Sequence, residues 1–237
     1  MALTPESAPP QHSAEPVTSP WWRNTSIVLT RMFDIIGSAV GLLLLSPFLL
    51  LIAFTIKLND GGPIFFLQRR IGRDLKPFTM LKFRTMTPNA ERDGLLTVET
   101  DQRITRVGRL LRKYKLDELP QLINVLRGDM QFVGPRPEMQ RFVEMFRAEY
   151  LVLLRRPPGI TDPASIAFRN EQALLHTENT EHQYVSEILP QKLQLSLEYA
   201  ASRDFISDIA VIFRTLFPVK EPPHCSTNKR NENKLAD

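Results

Sequence analysis

From Ile35 to Ile56 no residue is charged, and the blocks Leu42-Leu43-Leu44-Leu45 and Leu49-Leu50-Leu51-Ile52 dominate. A run of this length matches the ~20 apolar residues needed to cross a bilayer, and it leaves a buried soluble hairpin as the weaker option. It starts late and lacks a small-residue cleavage site, so it does not read as a cleavable signal peptide. Ser46-Pro47 falls at its middle. Proline inside a helix removes a backbone hydrogen bond and bends the axis, and a serine hydroxyl can satisfy the carbonyl so freed. Each half of the run would be ~16–18 Å long at 1.5 Å per residue, about half of a ~30 Å hydrocarbon core. Arg23 and Arg31 precede the run, and Lys57, Arg69, Arg70, Arg73 and Lys76 follow it. Positive flanks on both sides favour a re-entrant helix-break-helix hairpin over a spanning helix, although proline kinks also occur in spanning helices.

The remainder divides around that hairpin. Residues 1–24 are proline-rich and read as a disordered lead-in, with Trp21-Trp22-Arg23 as an interfacial anchor. The hairpin occupies 25–58, a single cytoplasmic domain 59–217, and a polar disordered tail 218–237. In the domain, Ile64–Gln68 and Phe78–Met86 read as two strands of a short β-hairpin, with Lys82 and Arg84 on one face. Residues 87–101 read as a mobile, lid-like loop. Amphipathic helices follow at 104–114, 139–154, 184–189, 192–199 and 204–217, the last by default docked on the core. The expected class is α+β, mostly helical, as a monotopic membrane protein with surface amphipathic helices. A net charge of +4 fits an anionic partner without choosing one. The lone cysteine excludes an internal disulfide, and the four scattered histidines make a zinc site improbable on spacing.

The candidate chemistry lies in Lys115-Leu116-Asp117-Glu118-Leu119-Pro120-Gln121, two adjacent carboxylates within basic chain. Arg103, Arg106, Arg109, Arg112 and Lys113 lie upstream, and Arg127 and Gly134-Pro135-Arg136-Pro137 downstream. Arginines hold phosphate oxygens, while carboxylates hold a metal or attack phosphorus. A helix should begin near Asp117 or Glu118, with Asp117 placed to cap it. Adjacent carboxylates do not both ionise cheaply without a cation, so a divalent metal is expected on at least one. Taken alone, the same pair also fits a plain capped helix start with surface ion pairs.

Further motifs stand in order: Arg31-Met32-Phe33-Asp34, Gly62-Pro63-Ile64-Phe65-Phe66, Gln68-Arg69-Arg70-Ile71-Gly72, Lys82-Phe83-Arg84-Thr85-Met86, Arg103-Ile104-Thr105-Arg106-Val107-Gly108, Asn124-Val125, Gly128-Asp129-Met130 and Val133-Gly134-Pro135-Arg136-Pro137. With Ser46-Pro47 and the dyad, they make residues 28 to 161 closely resemble the bacterial sugar transferase family, the monotopic phosphoglycosyl transferases. The resemblance implies transfer of a phosphosugar from a UDP-sugar to polyprenyl phosphate, usually undecaprenyl phosphate, with release of UMP. This is the first membrane step of surface glycan synthesis, on the cytoplasmic face of the bacterial inner membrane. It further implies a ping-pong route with Mg²⁺, Asp117 as nucleophile and Glu118 as metal ligand. Arg112 and Arg136, with Lys82 and Arg84 as weaker candidates, would bind phosphate, and Ser46-Pro47 would be the hairpin break. One departure is Asp162-Pro163-Ala164 after Pro158-Gly159-Ile160-Thr161, where the family often has glycine and an apolar residue. It leaves the donor sugar open.

The competing reading is a non-catalytic membrane-associated assembly partner, which the intact set Asp117, Glu118, Arg112 and Arg136 argues against. Nucleic-acid binding lacks interleaved aromatics and a recognisable module. A lipid-linked phosphatase would share the aspartate and Mg²⁺ but release sugar phosphate to water. A homodimer is compatible with the sequence, which does not fix the oligomeric state.

Overall fold

The computed structural model describes residues 24–87, 101–175 and 180–217. The lead-in, most of the lid-like loop and the tail lie outside the described residues. The long helix α1 runs from Asn24–Asp60 with Pro47 inside it. Pro47 has no N–H for the carbonyl of Leu43, and Ser46 Oγ donates to that oxygen at 2.7 Å. Helical structure is therefore continuous through the expected break. The helix is long and apolar enough to cross a membrane.

α1 buries one narrow stripe. Thr30, Asp34, Ser38, Ile52 and Ile56 are buried, whereas Leu43, Leu44, Leu50, Leu51, Phe54 and Leu58 are exposed. An exposed apolar surface of this extent is unfavourable in water and favourable in lipid.

β1 (Phe65–Ile71) and β2 (Pro77–Phe83) form the antiparallel hairpin, with Phe65 opposite Phe83 and Ile71 opposite Pro77. α2 (Arg106–Lys113) is capped by Thr105, whose hydroxyl accepts from Gly108 N at 2.9 Å. Gly108 rests on the backbone of Thr85, where a Cβ would overlap the carbonyl. α3 (Gln121–Arg127) begins with Pro120 as N-cap and ends at Gly128, which has the left-handed φ of 95°. β3 (Gln131–Val133) pairs in parallel with β4 (Gly159–Thr161).

Between these strands, α4 (Gln140–Met145) and α5 (Arg147–Leu153) replace the single helix expected over 139–154, because Phe146 leaves helical geometry at φ −121°, ψ 44°. α6 (Pro163–Ala167), α7 (Glu171–Leu174) and α8 (Thr180–Gln183) occupy the stretch least informative in sequence. The unusual Asp162-Pro163-Ala164 is a helix start. Asp162 accepts from Ser165 N at 2.7 Å, Pro163 fills the first turn, and the second Asp162 oxygen accepts from Ser196 Oγ. A π-helical stretch, Tyr184–Ile188, passes directly into α9 (Leu189–Ser202). Pro190 thus lies within a continuous helical run, just after the π-helical stretch, rather than breaking two helices. α10 (Phe205–Leu216) opens with an Asp204–Ser207 capping box and buries Val211 and Asp208, while Ile206, Phe213 and Leu216 stay exposed.

The largest core cluster joins Phe142, Tyr150, Leu154, Tyr184, Ile188 and Leu189, among others. Two smaller clusters pack α1 and the hairpin against α2 and α3: Ile52, Ile56, Phe83 and Leu111, and Met80, Val125 and Met130. The N-terminal half of α1 is held separately. Arg31 donates to the carbonyls of Val125 (2.7 Å) and Leu126 (2.9 Å) at the end of α3, and Asp34 accepts from Phe132 N at 3.0 Å. Phe33 packs edge-on to Phe132 and Phe205. Both halves of α1 are therefore fastened to the same domain. The described chain is mostly helical with two short sheets, as the α+β expectation required.

Candidate active site

Three elements converge on the dyad. β2 supplies Lys82, the turn after β3 supplies Arg136, and a 3-10 turn (Leu116–Glu118) supplies Asp117 and Glu118. Lys115 enters that turn in the left-handed region at φ 57°, which a β-carbon disfavours and which spins the two carboxylates out of the path of α2. Asn124, fully buried on α3, clamps this turn's helix to the hairpin. Its Oδ1 accepts from Leu81 N at 3.0 Å and its Nδ2 donates to Thr79 O at 2.8 Å. That places Lys82 within reach of the dyad.

Glu118 receives two cations. Lys82 Nζ lies 2.9 Å from its Oε1, Arg136 Nη2 lies 2.5 Å from the same oxygen, and Arg136 Nη1 lies 3.4 Å from Oε2. Burial opposes its ionisation, but Arg136 and Lys82 outweigh it and hold the carboxyl well below the usual range. Arg136 is raised in return by Glu118. Asp117 is the opposite case. It is buried, its Oδ1 has no hydrogen-bond partner, and burial together with Glu118 pushes its pKa up against the pull of Lys82, Arg112 and Lys115. Neighbouring carboxylates with pKa values driven apart are a recurrent sign of divided chemical roles. Burial also lowers Lys82 and Arg112 from their usual values.

Arg112 reaches the same region from the last turn of α2. Its Nε donates to Thr85 Oγ1 at 2.8 Å, and its Nη1 is buried without a partner. Arg84 lies with its guanidinium against Gly62, beside Ile56, Asn59, Thr105 and Val107. Of the sequence candidates, Lys82, Glu118 and Arg136 are thus brought into direct contact, with Asp117 adjacent and Arg112 within its electrostatic reach. One expectation changes: Asp117 caps no helix, since α3 starts at Gln121 and the Asp117 side chain accepts no cap bond. Lys82 and Arg136 supply charge compensation to Glu118 from the protein itself. Sequence reasoning passed over Thr85 and Gln121, whose buried Nε2 also has no partner. Both stood inside recognised motifs, and only their three-dimensional surroundings distinguish them.

Among the described residues no group of three or more acidic, histidine or cysteine side chains forms a metal cage. A magnesium ion that takes most of its ligands from substrate phosphates and water needs only one or two carboxylate oxygens. Glu118 Oε2 is only loosely engaged, so the residues present fit such an ion.

The family model described as bacterial sugar transferase matches residues 25–221. The chain is 39% identical over 196 residues to the UDP-glucose:undecaprenyl-phosphate glucose-1-phosphate transferase of Escherichia coli, covering 80% of this chain and 40% of that protein. It is 34% identical over 194 residues to the UDP-N-acetylgalactosamine-undecaprenyl-phosphate N-acetylgalactosaminephosphotransferase of Aeromonas hydrophila, covering 79% and 43%. It is 34% identical over 202 residues to the exopolysaccharide production protein ExoY of Rhizobium meliloti, covering 78% and 83%. The chain therefore spans less than half the length of the first two and most of the third. With the family match running from α1 through α10 and enclosing the whole dyad site, the chain belongs to the bacterial sugar transferase family.

Proposed function

We propose that this protein transfers a phosphosugar from a UDP-sugar to polyprenyl phosphate, undecaprenyl phosphate in the first instance, and releases UMP. The observation that carries this reading is the divided dyad. One carboxylate is fixed by two cations, and its neighbour keeps a bare oxygen in a site where further cations converge. A bare aspartate oxygen suits attack on phosphorus, and the cations offset the repulsion between two anions. In the first step an Asp117 oxygen bonds to the phosphorus that bears the sugar, and the bond to the UMP oxygen breaks. In the second, an oxygen of the lipid phosphate bonds to that phosphorus and the Asp117–phosphorus bond breaks, restoring the carboxylate. Arg112, with its unpartnered Nη1, binds the phosphate oxygens, and Arg136 and Lys82 stabilise charge that builds near Glu118. Magnesium, held by Glu118 with the phosphates of the substrate, would supply additional charge neutralisation.

The same reading places α1 in the cytoplasmic leaflet of the bacterial inner membrane as a re-entrant element. Fastening of both halves of α1 to one domain supports it, because a spanning helix carries one end to the far side of the bilayer. Pro47 at its centre provides the bend. The domain then sits at the cytoplasmic face, where a nucleotide sugar and the head group of a lipid phosphate can meet.

The test is UMP release from nanodisc-held protein given undecaprenyl phosphate, Mg²⁺ and a panel of UDP-sugars, with Asp117→Asn alongside. Release that requires lipid phosphate and one sugar, and vanishes in the variant, is expected. UDP release instead would mean glycosyl transfer and overturn the assignment. UMP release that survives Asp117→Asn would remove Asp117 as nucleophile while leaving the transfer reaction.

A further inference from the structure

Behind Arg136 lies a second buried ionic group that the dyad chemistry does not use. Arg136 and Glu138 flank Pro137 in a segment pinned on both sides: Pro135 O accepts from Gly159 N at 2.9 Å, and Glu138 O accepts from Ile71 N at 3.0 Å. The Glu138 carboxylate is fully engaged. Its Oε1 accepts from Tyr184 OH at 2.5 Å and its Oε2 pairs with Arg70 Nη1 at 3.1 Å. Lys192, from α9, completes the group. Its Nζ donates to Glu171 Oε2 at 2.8 Å and to Tyr184 OH at 3.2 Å, and lies 3.8 Å from Glu138 Oε1. Lys192 and Glu138 are both more than nine-tenths buried. Arg136 and Lys192 line the same small cavity, with Glu138, Asp162 and Ser196.

Arg136 thus lies between two anionic systems. Glu118 attracts it most, and Glu171 and Glu138 are its next strongest attractions. Loss of Lys192 would leave Glu138 with Arg70 as its ion-pair partner and take the 2.8 Å partner from Glu171, and under-compensated carboxylates in a largely buried group draw on any cation within reach. We propose that Lys192 is a positioning residue: by neutralising Glu138 and Glu171 it keeps Arg136 committed to Glu118 and to the substrate phosphate. The commitment to Glu118 stands on geometry alone, and the substrate half rests on the phosphosugar-transfer reading. Without Lys192, Arg136 turns toward Glu138 and Glu171, and the dyad loses one of its two clamps.

The decisive measurement is a double-mutant cycle between Lys192→Met and Glu118→Gln, read by thermal unfolding of the full chain in detergent. The two side chains belong to different groups bridged by Arg136. A role for Lys192 confined to its own helix packing makes the two shifts add. The expected result is a Lys192→Met shift that shrinks in the Glu118→Gln background, because the contact it protects is already gone. Additive shifts overturn the proposal whether or not the protein is active. In the UMP-release assay, Lys192→Met should lower kcat/KM about 10–100-fold, as loss of outer-layer partners typically does. Lys192→Arg and the pair Lys192→Met with Glu138→Gln should recover most of it. A folded Lys192→Met with wild-type kcat/KM also overturns the proposal. If the wild-type protein releases no UMP, the transfer reading is what fails, and the unfolding cycle still decides the role of Lys192.

Discussion

At Asp117 reactivity and stability oppose each other. Burial and Glu118 raise its pKa, so the ionised form is disfavoured in the folded protein. Asp117→Asn removes that disfavoured charge while keeping the shape. It should abolish UMP release and raise the unfolding midpoint by several degrees, measurable by differential scanning fluorimetry; an unchanged or lower midpoint would contradict the electrostatic account. Much of this site was legible because its members sit in short, ordered motifs of unusual chemistry: Lys82, Asp117, Glu118 and Arg136. The supporting layer was not. Thr85 meets Arg112 across 27 residues and Tyr184 meets Glu138 across 46, and such pairs leave no local spacing signal. Asp117 also looked like a helix cap because aspartate before a proline is a capping pattern, but the left-handed Lys115 and the 3-10 turn start α3 three residues later than that pattern predicts.

Among the elements, α2 offers a sharp test. Gly108 lies in the first turn of α2, where alanine in place of glycine ordinarily adds stability. Here a Cβ would overlap the Thr85 carbonyl, so Gly108→Ala should instead destabilise by about 1–3 kcal/mol and push Arg112 out of line. Chemical denaturation with a parallel activity assay checks both. In α1, Pro47→Leu restores the hydrogen bond to Leu43 and removes the cause of bending. If α1 is re-entrant, a reporter fused ahead of residue 24 should read cytoplasmic in the wild type and shift toward the periplasm in the variant. A periplasmic reading in the wild type would refute re-entrance. The apolar helix, the hairpin strands β1 and β2, and α10 were legible from periodicity and uncharged length. The short strands β3 and β4, the kink at Phe146 and the unbroken helix through Pro190 were not, because each depends on packing between segments distant in sequence.

For the molecule as a whole, acid should be the sensitive side. Glu118 and Glu138 both titrate below their ordinary value of 4.5 when folded. Each therefore adds stability above that value, which is lost as pH falls through the lower folded value. Asp117 runs in the opposite sense, gaining as it protonates. The unfolding midpoint should fall below about pH 4.5, less steeply in Glu138→Gln and more steeply in Asp117→Asn. The clasp on α1 has a further consequence, for biosynthesis. The helix leaves the ribosome well before Val125, Phe132 and Phe205, the residues that hold its first half. On the proposed membrane placement of α1, insertion into lipid comes first and the domain is then assembled on a helix already in place, so a chain that misses the membrane during synthesis lacks the surface on which Val125, Phe132 and Phe205 are to pack.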